Sequence, residues 1–322
     1  MNPRLPVVES KSPQMQRIID TIRKVAQTDA SIIFIGETGT GKDVLAYYLH
    51  TLSRRRGGPF SIVDSGALSD ALLESELFGH MKGAFTGALS DRQGLIETAL
   101  GGTLFLNEIS EATHALQLRL LHLLQYKTYR RVGSLIWDLA DVRFIAASNK
   151  DLSDLVAKGR FRQDLYHRLK VVEIRIPPLR ERPEDVPAFI ENFIVRFKKE
   201  HGKPCLELTP CALQALLSYR WSGNVRELEH CIEYLVVTSE GACINGEDVR
   251  RTIWGGSCSR QEVSPQLTFF DGVKDVLEHA LRRHKWNKSL VADELGIDRS
   301  TLYRRMKKYG ITPDRQAEQT SR

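Results

Sequence analysis

Cysteine is scarce in this chain of 322 residues: five copies, at positions 205, 211, 231, 243 and 258, with no CxxC pair among them. An odd number without that spacing argues against a disulfide framework or a cysteine-held zinc site and fits thiols kept reduced. Long apolar runs are missing too. Segments such as Ile32-Ile33-Phe34-Ile35 fall far short of the ~18 residues that a membrane-spanning helix needs. The N-terminus, Met1-Asn2-Pro3-Arg4-Leu5-Pro6, has no apolar stretch of the kind that directs export. These absences predict a cytoplasmic protein with no membrane partner. There is no internal repeat and no low-complexity block. With 42% hydrophobic and 27% charged residues, the chain has the composition of a globular protein rather than a disordered one. Its length suggests about two domains and a small third module.

Charge of one sign is also limited, at +6 overall, but it is unevenly placed. Residues 271–322 hold twelve Lys and Arg against eight Asp and Glu, so most of the excess sits at the C-terminal end. A basic terminus suits nucleic acid, although a solvated tail gives the same count.

Patterning divides the chain. A helix is expected after Pro13, where Met15, Ile18, Ile19, Ile22 and Val25 recur at helical spacing. Short apolar, β-rich runs follow at 31–35, 60–63, 103–106, 142–147 and 172–176, separated by amphipathic helical stretches such as 116–124. That alternation predicts an α/β domain at 8–176, a parallel sheet with helices on both faces. After Pro177-Pro178 the text reads as helical only, with one stripe through Val186, Phe189, Ile190, Phe193, Ile194 and Phe197. An α-helical subdomain is expected at 177–253, a flexible linker at 254–270, three short helices at 271–313 and a tail at 314–322.

The chemistry begins at Gly36-Glu37-Thr38-Gly39-Thr40-Gly41-Lys42, directly after one strand and before a helix. Glycines there let successive N–H groups turn toward phosphates, and the lysine reaches the terminal ones. The next residue is usually Ser or Thr, a Mg2+ ligand; here it is Asp43. Such a loop expects a second part, an apolar strand ending in acids. Residues 103–106 end in Asn107-Glu108, where Asp-Glu is usual. Glu108 remains available to polarise an attacking water. Asn107 keeps a carbonyl oxygen that could face the metal. ATP and Mg2+ are the expected cofactors.

Between these two parts lies Gly83-Ala84-Phe85-Thr86-Gly87-Ala88, which contains no acid, base or metal ligand. It reads as a loop tip that shows Phe85 and Thr86 to a partner, with glycines on either side. All six residues match the contact loop of the bacterial enhancer-binding proteins, the AAA+ activators of sigma-54 RNA polymerase, and the segment Glu74 to His80 also resembles that family. The resemblance runs from about Val8 to Thr312. It implies an AAA+ P-loop domain, a helical lid and a Fis-type helix-turn-helix. It also implies roles for individual residues: Asn149 as the sensor of the γ-phosphate, Arg162 and Arg168 as arginine fingers, and Arg226 as a lid contact to nucleotide. On the residues alone, a pair of Arg168 with Asp164 four positions earlier is the less favoured reading. Fingers imply a ring, and the family implies a hexamer.

Family members usually carry Asn where this chain has Asp64, so the chain holds Asp where Asn is usual and Asn107 where Asp is usual. One reading is a reciprocal exchange, in which Asp64, Asn107 and Glu108 form one hydrogen-bonded cluster with the metal. The other is a subunit that binds ATP but hydrolyses it weakly or not at all, working in a mixed ring with a related partner.

At the C-terminal end, Leu290, Leu295, Ile297 and Leu302 make an inward face, and Gly296 permits a turn. Arg299, Ser300, Thr301, Arg304 and Arg305 face outward, as a helix reading a major groove requires; a helical dimerisation hairpin is the other reading of the pattern. The expected partners are enhancer DNA and the sigma-54 RNA polymerase holoenzyme. The AAA+ module starts so close to Met1 that no receiver domain is expected, which points to control by expression, a partner or an inhibitor protein. Short length slightly favours the type that regulates type III secretion genes over the phage-shock type.

Overall fold

In a computed structural model, residues 9–66, 70–85, 87–239 and 241–254 are described. The linker and the expected helix-turn-helix, with Arg299, Ser300, Thr301, Arg304 and Arg305, lie outside the described residues, as does Thr86.

Pro13, at the first helical position, starts α1 (Pro13–Ala26), and its period-four apolar face buries Met15, Ile19 and Ile22. Then come β1 (Ile32–Ile35), α2 (Lys42–Leu52), β2 (Phe60–Asp64), α3 (Asp70–Phe78), α4 (Leu95–Thr98), β3 (Thr103–Asn107) and α5 (His114–Tyr126). A two-residue antiparallel pair, β4 (Thr128–Tyr129) with β5 (Asp138–Leu139), precedes β6 (Arg143–Ser148), α6 (Leu152–Ala157), α7 (Gln163–Leu169) and β7 (Val172–Arg175). Five strands form one parallel sheet in the order β2-β3-β6-β1-β7.

Both faces of the sheet are covered, and the strand period of two shows why. On β1, Ile33 and Ile35 join a core with α3, α5 and α7, through residues such as Leu77, Leu120 and Leu165. Ile32 and Phe34 point the other way, into a core with Ile19 and Ile22 of α1 and Leu45 and Leu49 of α2. A strand buried on both sides reads as an unbroken apolar run, which is how these segments stand in the sequence.

The second layer of the chain comprises α8 (Val186–Glu200), β8 (Glu207–Leu208), α9 (Pro210–Ser218), α10 (Asn224–Thr238), β9 (Cys243–Ile244) and α11 (Gly246–Trp254). The expectation of a purely helical segment needs correcting. β8 and β9 pair in parallel, and Thr209 N–H donates to Ile244 O at 3.0 Å. Two residues are too few to show alternation, so the sequence hides this tie between the α8–α9 and α10–α11 connections. Around it, Leu179, Ile190, Phe197, Leu216, Trp221, Leu228, Ile232 and Val249 close a core of their own. Among the described residues, no helix is long and apolar enough to cross a membrane.

Candidate functional site

The carboxyl ends of β1, β6, β3 and β2 lie side by side, because that is their order in the sheet. This edge is where parallel α/β sheets bind ligands. The loop after β1 has two glycines in the left-handed region, Gly39 at φ 79° and Gly41 at φ 94°. Lys42, first in α2 and 6% exposed, folds back over the loop. Its ammonium donates to Gly36 O at 2.9 Å and Glu37 O at 3.2 Å, and stands 3.7 Å from Glu108 Oε1. Burial pushes its pKa below the usual lysine range, and the nearby Glu108 charge opposes that shift.

Glu108 follows β3 with φ 51°, a conformation uncommon outside glycine. The turn aims its carboxylate sideways toward the end of β6, where Asn149 N–H donates to Oε2 at 3.3 Å. Asp64 and Asn107 are register partners on β2 and β3, and Asn107 Nδ2 donates to Asp64 Oδ2 at 3.5 Å. The direct contacts fall into two groups: Asp64 with Asn107, and Glu108 with Lys42 and Asn149. No direct contact from Glu108 to Asp64 is present among the described residues. Asp43 is exposed in the first turn of α2, where a carboxylate also suits the helix dipole. The structure does not join it to the Asp64–Asn107 pair.

Arg226 lies in the first turn of α10 and, with Glu37, Thr38, Asn149, Lys150, Gly223 and His230, lines a cavity of about 630 Å³ between the phosphate loop and the lid. Arg162 and Arg168 stand elsewhere. Arg162, which precedes α7, forks onto both oxygens of Asp164 at 3.0 and 2.7 Å. Asp164 is thus taken by Arg162, and the Arg168–Asp164 pairing is not formed. Arg168 is exposed and has no ion-pair partner among the described residues. Arg162 and Asp164 line a separate hollow with Gln163 and His167, which shares no residue with the cavity at the phosphate loop.

The 83–88 segment sits on a built stem. His80 and Arg92 exchange backbone hydrogen bonds at 3.0 and 2.9 Å, and Gly83 N–H donates to Ala88 O at 2.9 Å across the tip. Gly83 at φ 81° and Gly87 at φ 103° make the turn. Phe85 is 42% exposed, with its ring edge-on to His80 at 5.0 Å, while Ala88 is buried. The stem leans on the segment after β4, where Val132 O accepts Met81 N–H at 3.0 Å and Gly133 abuts Ala84.

Comparison with known proteins decides what this combination is. The family profile described as "Sigma-54 interaction domain" matches residues 8–175, "AAA+ ATPase lid domain" matches 180–266, and "Bacterial regulatory protein, Fis family" matches 274–309. The chain belongs to the sigma-54-dependent activators.

Among similar activators, the alginate biosynthesis transcriptional regulatory protein AlgB of Pseudomonas aeruginosa is 41% identical over 304 residues, 94% of this chain and 68% of that protein. The Nif-specific regulatory protein of Azotobacter vinelandii is 42% identical over 303 residues, 92% of this chain and 58% of that one. Of solved structures, NtrX from Brucella abortus in complex with ATP superposes with TM-score 0.69 at 28% identity, covering 95% of this chain and 69% of that one. The chain is thus an activator with an AAA+ P-loop ATPase fold, a nucleotide-binding domain, a lid and a Fis-type DNA-binding helix-turn-helix.

Sequence reasoning missed three residues in this activator's site. Arg180 forks onto Glu37 at 2.7 and 2.6 Å, and holds its carboxyl at about 2, well below the usual range. Arg182, 3% exposed, donates to Thr40 O at 2.9 Å. Asn224, wholly buried, reaches Glu37 and Thr38. The available signal was position: Arg180 and Arg182 follow the Pro-Pro that ends the α/β domain, and Asn224 stands two residues before Arg226.

Proposed function

We propose that the chain works as an ATP-driven remodeller of the closed promoter complex of sigma-54 RNA polymerase holoenzyme. Subunits assemble as a ring, a hexamer by family resemblance. Residues 271–313 hold enhancer DNA, with Arg299, Ser300, Thr301, Arg304 and Arg305 on phosphates and base edges. The observation that carries this reading is the convergence of Lys42, Glu108 and the Asn149 backbone at the mouth of a phosphate loop, on a chain that also raises Phe85 on a stem.

In this reading Gly36 to Gly41 wrap the β- and γ-phosphates of ATP, and Lys42 neutralises them. Glu108 orients the attacking water and accepts its proton, while Asn149 keeps the carboxylate turned toward the phosphate. Arg168 of the adjoining subunit meets the charge that develops on the γ-phosphate. The donors on β2 and β3 are oxygen only, the Asp64 carboxylate and the Asn107 carbonyl. That suits Mg2+, which takes one or two carboxylates and fills its shell with phosphate and water. Asp43, in the first turn of α2, would supply a further oxygen when the metal is bound. The metal would spread phosphate charge when bound.

The presence of Asn107 where an acid is usual favours a second reading, a weakly hydrolysing subunit that needs a paralogue in a mixed ring. Phosphate release by the purified chain, alone and with a paralogue, separates the two. For the motor reading, Phe85→Ala keeps ATP turnover within about twofold and abolishes promoter opening, since the ring touches no nucleotide-site residue. Parallel loss of turnover and opening would overturn the contact-loop assignment.

A further inference from the structure

Each backbone carbonyl of residues 36–40 in the phosphate loop finds a donor. Lys42 takes Gly36 O and Glu37 O. The other three are gripped from the chain beyond β7. Asn224 Nδ2 donates to Thr38 O at 3.0 Å, Val225 N–H to Gly39 O at 2.9 Å, and Arg182 to Thr40 O at 2.9 Å. Gly39 lies so close to Gly223 that a Cβ at residue 39 would run into Gly223 O.

Asn224 is the centre of this grip. It is wholly buried and held at φ 59°, which Asn tolerates better than most residues. Its Oδ1 accepts Leu179 N–H at 2.7 Å, and its Nδ2 also reaches Glu37 Oε2 at 3.1 Å. The same Glu37 carboxylate receives the Arg180 fork. Two residues further on, Arg226 faces the cavity at the phosphate loop.

We propose that Asn224 is a positioning residue for nucleotide binding: with Glu37 and Arg180 it clasps the lid to the phosphate loop, so that the lid senses the loop's shape and Arg226 is held at the cavity. This rests on the nucleotide-site reading above. Asn224→Asp keeps the size, the acceptor for Leu179 and the tolerance for positive φ. It sets an oxygen against Glu37 and Thr38 O, where two acceptors cannot bond and two carboxylates repel. ADP affinity, measured by calorimetry on the full chain well below its melting temperature, is expected to fall roughly ten- to a hundredfold, and the melting temperature falls as well because a carboxylate is buried beside another. Adding Glu37→Gln to Asn224→Asp returns a donor to the pair and removes the repulsion between two carboxylates, so that part of that affinity is recovered although the Arg180 fork is loosened.

If Asn224 served the stability of the chain alone, ADP affinity measured well below the melting temperature would stay at the wild-type level in both variants. ADP affinity unchanged in Asn224→Asp, or no recovery in the double variant, overturns the clasp. If Asn224→Asp fails to fold, Glu37→Gln alone must weaken ADP binding by loosening the Arg180 fork, and unchanged affinity overturns the proposal. Failure of the wild-type chain to bind ADP would instead defeat the nucleotide-site reading itself.

Discussion

At the scale of single residues, the exchange of Asp64 and Asn107 is the departure that matters most. The two side chains are bonded to each other across β2 and β3, so the pair still offers one carboxylate and one amide. If the pair acts as a unit, changing one member is worse than changing both. Asp64→Asn leaves two amides and no charge, and ATP turnover is expected to fall about tenfold or more as metal attraction is lost. Asp64→Asn with Asn107→Asp restores the carboxylate from the opposite strand and brings turnover back. Phosphate release and Mn2+ affinity of the two variants check this. Full turnover in Asp64→Asn alone would remove the basis for the exchange. Glu108 belongs to a different pairing than the sequence led us to expect. Its position after β3 was legible as a motif, but its orientation depends on φ 51° and on the neighbouring strand being β6, which no local signal records.

At the scale of elements, the five sheet strands were legible because each is a short apolar run bounded by turn residues. The pairs β4–β5 and β8–β9 were not, since two residues carry no periodicity. The stem of the 83–88 loop was also hidden, because it is made by a crossing of glycines. A Cβ on Gly94 would overlap Gly79 N and the backbone of Phe78, and one on Gly79 would stand 2.6 Å from Arg92 O. Backbone atoms cannot swing aside as a side chain can. Gly94→Ala is therefore expected to spread the stem and cost about 1–3 kcal/mol of stability, as overpacking does. The stem shares no residue with the phosphate loop, so promoter opening should fall much further than ADP affinity. Thermal melting, ADP titration and promoter opening on one preparation test this. An unchanged promoter signal would show that the stem's spacing is immaterial.

At the scale of the whole molecule, the question is which subunit completes the site. Lys42, Glu108, Asn149 and Arg226 gather around one phosphate loop, whereas Arg162 lines a hollow that shares none of the residues of the cavity there. Arg162 is already occupied by Asp164, whereas Arg168 is exposed and has no ion-pair partner among the described residues. On the proposed reading Arg168 serves a neighbour's phosphates, which requires the head-to-tail geometry of a ring. Glu108→Ala subunits would then lack the base but keep the finger, and Arg168→Ala subunits the reverse. Each alone is expected to release phosphate at a small fraction of the wild-type rate. Mixed in equal amounts they form, by random pairing around a head-to-tail ring, roughly a quarter of junctions with both parts intact. Phosphate release should rise toward that level on mixing. A mixture no more active than its components, with assembly confirmed by sedimentation, would place the finger within its own subunit and remove the reason for a ring in catalysis.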